Sequence, residues 1–218
     1  MKLKIDVEDL AQANQGPIAT TCPHCGNNAV FQVVGTDTYI GHNLYCGQRR
    51  CPDINCNSHI FVVMRDRDLV WQHPPSRVAF KTENIPAGIL KTFDEAITCH
   101  AEGCFVAAAI MIRRTLEEIC EDRGATGKDL KDRIGDLRTK IVLPQELFDA
   151  MDELRLLGND AAHIEAKAYD QIQKAEIDAA VELTIELLKA LYQYSNLLTK
   201  MRALKKTMPQ QVNDGDGE

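Results

Sequence analysis

The chain has no uninterrupted apolar run of the roughly 18 or more residues that a membrane-spanning helix needs. Its start, MKLKIDVEDLAQANQ, lacks both the apolar core of a secretory signal and the Arg/Ser-rich character of a transit peptide. These two absences predict a cytoplasmic protein with no membrane partner. Positive charge is also short, since 25 Lys and Arg against 32 Asp and Glu leave a formal charge of -7. Coating of nucleic acid through bulk positive charge is thereby excluded, and any such contact must be local. Four basic clusters could supply it: GQRRCP at 47–52, MRDRD at 64–68, IRR at 112–114 and KMRALKK at 200–206. The chain also has no internal repeat, no Ser-His-Asp set and no phosphate-cradling Gly loop, GATGK at 124–128 being too short for one.

What is present divides in two. A length of 218 residues holds one medium domain with a small satellite, or two compact domains. Near residue 90 the composition shifts from Cys-, Gly- and Pro-bearing, β-branched sequence to Ala-, Leu- and Glu-rich sequence. The predicted partition is an N-terminal extension at 1–20, a zinc ribbon at 21–72, a linker at 73–91, a helical domain at 92–207 and a disordered tail at 208–218. In the first part AVFQVVGTDTYI, HIFVVM and DLVW read as short strands between Gly, Asn and Asp. The stretch WQHPPSRVAFKTENIPAG has three prolines and no helical period, so it reads as an extended connector.

Five of the eight cysteines crowd into residues 22–56. CPHC supplies one pair at 22 and 25, and CPDINC a second at 51 and 56, with strand-like sequence between them. Two tight turns that each offer two thiolates meet zinc's demand for four tetrahedral ligands and staple a β-hairpin too small to hold a core alone. The predicted ligands are Cys22, Cys25, Cys51 and Cys56, of a structural zinc rather than a catalytic one, because four sulfurs leave no position for substrate or water. Cys46 could replace Cys51 on spacing alone; His24, His42 and His59 are in reserve. Cys99, Cys104 and Cys120 lie in apolar helical sequence, where free cysteine packs as a small hydrophobe.

From residue 92 the period is helical. Thr92 and Glu95 form a candidate capping box, Gly103 a stop or bend, and the apolar run at 105–112 marks a central helix closed by Gly124. Leu130, Ile134 and Leu137 share one face, Pro144 opens the next helix, and a last long segment carries Ile177, Val181, Thr184, Leu188, Leu191, Tyr194, Leu198 and Met201 at three- and four-residue steps. That segment is long enough to run the whole bundle or to protrude beyond it.

Within LRLLGNDAAH, Arg155, Asn159 and His163 are spaced four and four. On one helix they would form a ladder spanning about 12 Å. Histidine titrates near neutral pH, arginine grips a phosphate with two hydrogen bonds, and asparagine can stabilise developing charge, so the trio suits attack of a ribose 2′-hydroxyl on its own phosphate. The alternative is that Gly158 breaks the helix and Asn159 or Asp160 caps the next one. Arg113, Arg114 and Glu117 on the central helix would either complete the site or form surface salt bridges.

The stretch FDEAITCHAEGCFVAAAIMIRRTLEEICEDRGATGKDLKDRI, followed by LRLLGNDAAH, resembles the bacterial domain of unknown function numbered 4145, and CPHCGN with CPDINC resembles the zinc ribbon that often precedes it. That family is grouped with the HEPN superfamily of dimerising helical bundles, whose active members are metal-independent endoribonucleases. The resemblance implies a mainly α fold, a HEPN-like bundle of four or five helices preceded by a small β zinc ribbon. It also implies a homodimer and a setting in defence or stress, with RNA, DNA or a defence-system protein as partner. Carried over, His163 matches the superfamily's histidine, Asn159 its nearby polar position and Arg155 its arginine, although one more residue separates Arg155 from His163 than the usual pattern has. The expected function is a nucleic-acid-directed module with RNA cleavage as its chemistry; the alternative is a non-catalytic interaction module, such as an accessory of a restriction or anti-phage system.

Overall fold

The computed structural model of the chain describes residue 7 and residues 10–162 and 172–206. Its first part is an antiparallel sheet of six strands: β1 (Ala11–Ala13), β2 (Ile18–Thr21), β3 (Asn28–Tyr39), β4 (Leu44–Arg50), β5 (His59–Arg65) and β6 (Asp68–His73). β3 to β6 follow one another as a meander, while β1 and β2 share the free edge of the long β3, one against each half. The sheet is thus larger than the small ribbon expected. Two strands reach into the stretch expected to be an N-terminal extension, because pairing with β3 satisfies backbone groups that local composition does not mark as strand. β4, LYCGQRR, was also not anticipated; five of its seven residues are polar, Gly or Cys, and it is a strand because neighbours pair with it on both edges.

One face of this sheet is apolar and dry. Phe31, Ile60, Val62 and Met64 are buried there with Ile18, Cys22 and Cys51. The same layer encloses a charge pair: Arg49 Nη1 and Nη2 donate to the two Asp37 carboxylate oxygens at 2.7 and 3.0 Å, and both side chains are wholly shielded from solvent. The Gln15 amide donates to the same carboxylate at 2.8 Å. Position 47 must be glycine for this to fit, since a Cβ there would lie 1.9 Å from the Asp37 carboxylate. Of the two arginines in GQRRCP, one is therefore a core residue and only Arg50 faces water.

Among the described residues six α-helices follow: α1 (Ala87–Ala101), α2 (Phe105–Asp122), α3 (Leu130–Lys140), α4 (Gln145–Ala162), α5 (Lys174–Leu188) and, after a π-helical turn at Lys189–Gln193, α6 (Tyr194–Lys206). α1 begins five residues before the expected cap. Pro86 precedes its first turn, and Thr92 lies inside the helix, buried, with its hydroxyl donating to Glu118 of α2 at 2.8 Å. Gly103 and Gly124 do end helices: the amide of Cys104 donates to the Cys99 carbonyl, and that of Ala125 to the Cys120 carbonyl, both at 2.8 Å. The connector is tied down at both ends of its course. Ser76 donates to the Thr21 carbonyl, Arg77 pairs with Asp94, Phe80 meets Phe93 edge-on at 4.9 Å, and Ile85 enters the helical core.

α2 is central, packing against α1, α3, α4 and α5. Its Ile112, Leu116 and Ile119 are fully buried, each contributing roughly 2 kcal/mol of apolar burial. Leu130, Ile134 and Leu137 face the same core from α3, and Ile177, Val181, Thr184 and Leu188 from α5. Beyond the π turn the apolar stripe leaves the bundle: Tyr194, Leu197, Leu198, Met201 and Leu204 are all at least half exposed. Cys99 and Cys120 pack in the helical core as expected, and burial pushes the Cys120 thiol up to about 11, whereas Cys104 is exposed at the start of α2. The expected tail at 208–218 lies outside the described residues.

Candidate functional site

Two turns at one end of the sheet bring four thiols together. The first, Cys22 to Asn27, is closed by Gly26 N–H to Cys22 O at 3.0 Å and Cys22 N–H to Asn27 O at 2.9 Å; the second, Cys51 to Ser58, by Cys56 N–H to Asp53 O at 3.1 Å and Cys51 N–H to Ser58 O at 2.8 Å. Asn27 Nδ2 donates to Asp53 at 2.9 Å and joins the turns directly. The sulfurs of Cys22, Cys25, Cys51 and Cys56 all lie within 4.8 Å of one another, with Cys22 to Cys56 at 3.7 Å and Cys25 to Cys51 at 3.9 Å. A zinc–sulfur tetrahedron with bonds of about 2.3 Å has edges of about 3.8 Å, so the residues present could hold that ion. Cys46 stands apart: it pairs across the sheet with Val63 and packs with Ile40, Leu44 and Trp71. His24, His42 and His59 are not in the cluster.

Ser58 is the member that spacing did not reveal. Its hydroxyl lies 3.3 Å from Cys22 Sγ and 3.1 Å from Cys56 Sγ. Burial alone would disfavour the Cys22 thiolate, but the Ser58 hydroxyl and the backbone amides of Cys25 and His24 outweigh it and bring Cys22 down to about 7. Burial pushes Cys51 the other way, up to about 12. The cluster therefore carries protons that a dication must displace, which is the usual coupling between metal binding and proton release.

The second site lies where α2 and α4 cross. α4 runs unbroken through Gly158 to Ala162, so Asn159 and Asp160 lie inside this helix and not at the start of another. Gly158 is a point of close approach instead: a Cβ there would lie 2.5 Å from Arg113 Cβ and 3.2 Å from the Ala109 carbonyl oxygen. Arg113 consequently lies across α4, where its Nη1 donates to the Arg155 carbonyl at 3.3 Å and its Nε pairs with Glu117 at 3.3 Å. Arg155, largely buried, reaches back to Asp152 at 3.3 Å, and Arg138 holds the other oxygen of that carboxylate at 3.0 Å. Asn159 follows one turn after Arg155 and is half-buried. Arg114 points elsewhere, pairing with Glu118 at 3.3 Å. His163 lies outside the described residues.

Arg113 is thus brought against the backbone of Arg155 and Gly158, while the Arg155 side chain turns to Asp152 and Asn159 follows one turn further along α4. Spacing alone exposed Arg155 and Asn159. Arg113 depends on a tertiary crossing, for which the only local signal was a glycine in mid-helix, small enough for a second helix to approach.

The family described as Domain of unknown function (DUF4145) matches residues 94–208. That stretch takes in Arg113, Arg155, Asn159 and His163 and leaves out the four clustered cysteines. No curated protein and no solved structure matches the chain. Among the described residues no helix is long and apolar enough to cross a membrane.

Proposed function

The chain belongs to the DUF4145 family, and from that premise we propose that it is a nucleic-acid-directed module of defence or stress, a HEPN-like bundle that holds RNA beside a sheet stapled by structural zinc. The observation that carries this reading is the crossing of α2 and α4 at Gly158, where Arg113 lies against the backbone of Arg155 with Asn159 one turn on from Arg155. Arginine and asparagine side chains carried on neighbouring turns of this crossing suit a phosphate, which binds arginine with paired, charge-assisted hydrogen bonds. The present partners of the two arginines, Glu117 and Asp152, are both partly exposed carboxylates that a phosphate can replace. Zinc at Cys22, Cys25, Cys51 and Cys56 would cross-link the two turns and leave no position for substrate.

A second reading, metal-independent RNA cleavage, is favoured by the unbroken course of α4, which sets Arg155 and Asn159 one turn apart on one face. In it His163 is the general acid and base, Arg155 holds the phosphate and Asn159 positions it. One experiment decides between the two. Labelled single-stranded RNA is incubated with the protein in magnesium-free buffer, beside Arg113→Ala/Arg155→Ala and His163→Ala variants. The expected result is retention of intact RNA, weakened at least tenfold in the double-arginine variant. Ends carrying 2′,3′-cyclic phosphate that vanish with His163→Ala would establish cleavage, and no retention by any of the proteins would refute both readings.

Pairing of two chains belongs to the same proposal. It is supported by the exposed apolar stripe of α6 from Tyr194 to Leu204. Light scattering is expected to give twice the chain mass, and Leu197→Glu to halve it; a monomeric wild type would contradict the pairing.

A further inference from the structure

The sheet has a second face, turned away from the Arg49 core, and its composition is unusual for a surface. Strand register places Phe61 opposite His73, with Val63 opposite Trp71 beside them, so three rings lie together on that face. Trp71 and His73 are stacked, with ring centroids 5.9 Å apart and planes inclined by 12°. Phe61 is 60% exposed, where burial would ordinarily be expected of a strand phenylalanine. Beside the rings the bulge in β3 between Val34 and Thr38 opens a pocket of about 350 Å³, which Phe61 and Trp71 line with Gly35 and Cys46.

Charge on this face points to the occupant. Gln48 is paired with Phe61, and Arg50 with His59, and Arg50 is steadied by a 3.1 Å hydrogen bond to Gln32. The residues paired directly with these rings or next to them on β3 and β4 are not acidic, and the one acidic residue paired in β5–β6, Asp68, lies at the far end of β6 opposite Arg65, in a chain whose formal charge is -7. Exposed rings accept bases by stacking, a nearby arginine meets phosphate, and glutamine and histidine side chains can bond the 2′-hydroxyl that separates RNA from DNA. A duplex would offer its bases only at their edges, so the rings suit unpaired nucleotides.

We infer that this outer face, centred on Phe61, Trp71 and His73, is a stacking platform for the bases of single-stranded RNA. The inference rests on the reading above that RNA is the partner, and it assigns base contacts to the sheet while the helical arginines hold phosphate.

Trp71 is the chain's single tryptophan, half-buried on this face against Ile40, Leu44 and Val63, so in the folded chain its emission responds to a ligand seated here. The full chain is titrated with a short single-stranded RNA, the matching duplex and the single-stranded DNA of the same sequence, following both tryptophan emission and the anisotropy of the labelled strand. Single-stranded RNA is expected to quench Trp71 and to bind more tightly than the other two. Phe61→Ala is expected to weaken binding about tenfold and Phe61→Tyr to restore it. Phe61 contributes to no core cluster, so its truncation leaves the fold in place. RNA binding with unchanged emission and an inert Phe61→Ala would overturn the platform while leaving the helical site standing. Tighter binding of duplex or DNA would overturn the choice of ligand. Loss of self-association in Phe61→Ala, with RNA affinity intact, would make the face an interface between chains and overturn it too. Absence of RNA binding in every arm would instead defeat the broader reading.

Discussion

Cys51→Ser is expected to abolish stoichiometric zinc binding and to loosen the whole sheet, while Cys46→Ser keeps the metal. The reason lies in how little else holds that half of the chain. Its larger core is a layer of seven buried residues, two of which, Cys22 and Cys51, are themselves members of the thiol cluster, and the opposite face adds only Ile40, Leu44 and Val63. Structural zinc supplies about 10–16 kcal/mol of apparent folding free energy near pH 7, which a layer of that size cannot replace. Elemental analysis reads the metal directly, and Trp71 emission reads the sheet. Acid should act in the same direction as the substitution. The ligands bind only as thiolates, and Cys51 lies at about 12 without metal, so each step down in pH adds proton competition and lowers zinc affinity. Metal retained by Cys51→Ser and lost from Cys46→Ser would overturn the ligand assignment.

Arg49→Ala is expected to cost about 3–5 kcal/mol, a large share of the roughly 5–15 kcal/mol that a domain has. The substitution leaves the Asp37 carboxylate fully buried beneath the sheet with the Gln15 amide as its remaining partner. An uncompensated buried charge costs far more than the net value of the pair, so replacing both members, as Asp37→Leu/Arg49→Met, should be markedly less damaging than Arg49→Ala alone. Urea unfolding followed through Trp71 measures the difference. A loss below about 1 kcal/mol for Arg49→Ala would mean that water reaches Asp37 and that the pair is not the closed contact described.

These two cases show what a linear reading reaches. The cysteine cluster was legible because both of its turns are local: two residues between one pair and four between the other suffice to place both thiols of each turn. Helix identities in the second half were legible for the same reason, through glycine stops, the proline ahead of α4 and three- and four-residue steps. Arg49 was not, since GQRRCP reads as a basic surface patch until β3 brings Asp37 to it across twelve residues of sequence. β1 escaped because AQA has no strand character apart from its partner. The start of α1 was misplaced because Thr92 has the chemistry of a cap, and only its pairing with Glu118 shows that the chain has already been helical for a turn. Likewise the stripe from Tyr194 to Met201 has core periodicity, and its exposure follows from where the bundle ends rather than from its own residues.

The proposed binding of RNA is tested most directly by the dependence of its affinity on salt. Replacing counterions at a few phosphates makes log affinity fall linearly with log salt, with a slope of about -0.7 per single-strand phosphate engaged. The wild-type chain with bound zinc is expected to retain intact single-stranded RNA with such a slope, and the Arg113→Ala/Arg155→Ala variant to show a shallower one. No retention at low salt, or the same slope in both proteins, would contradict it.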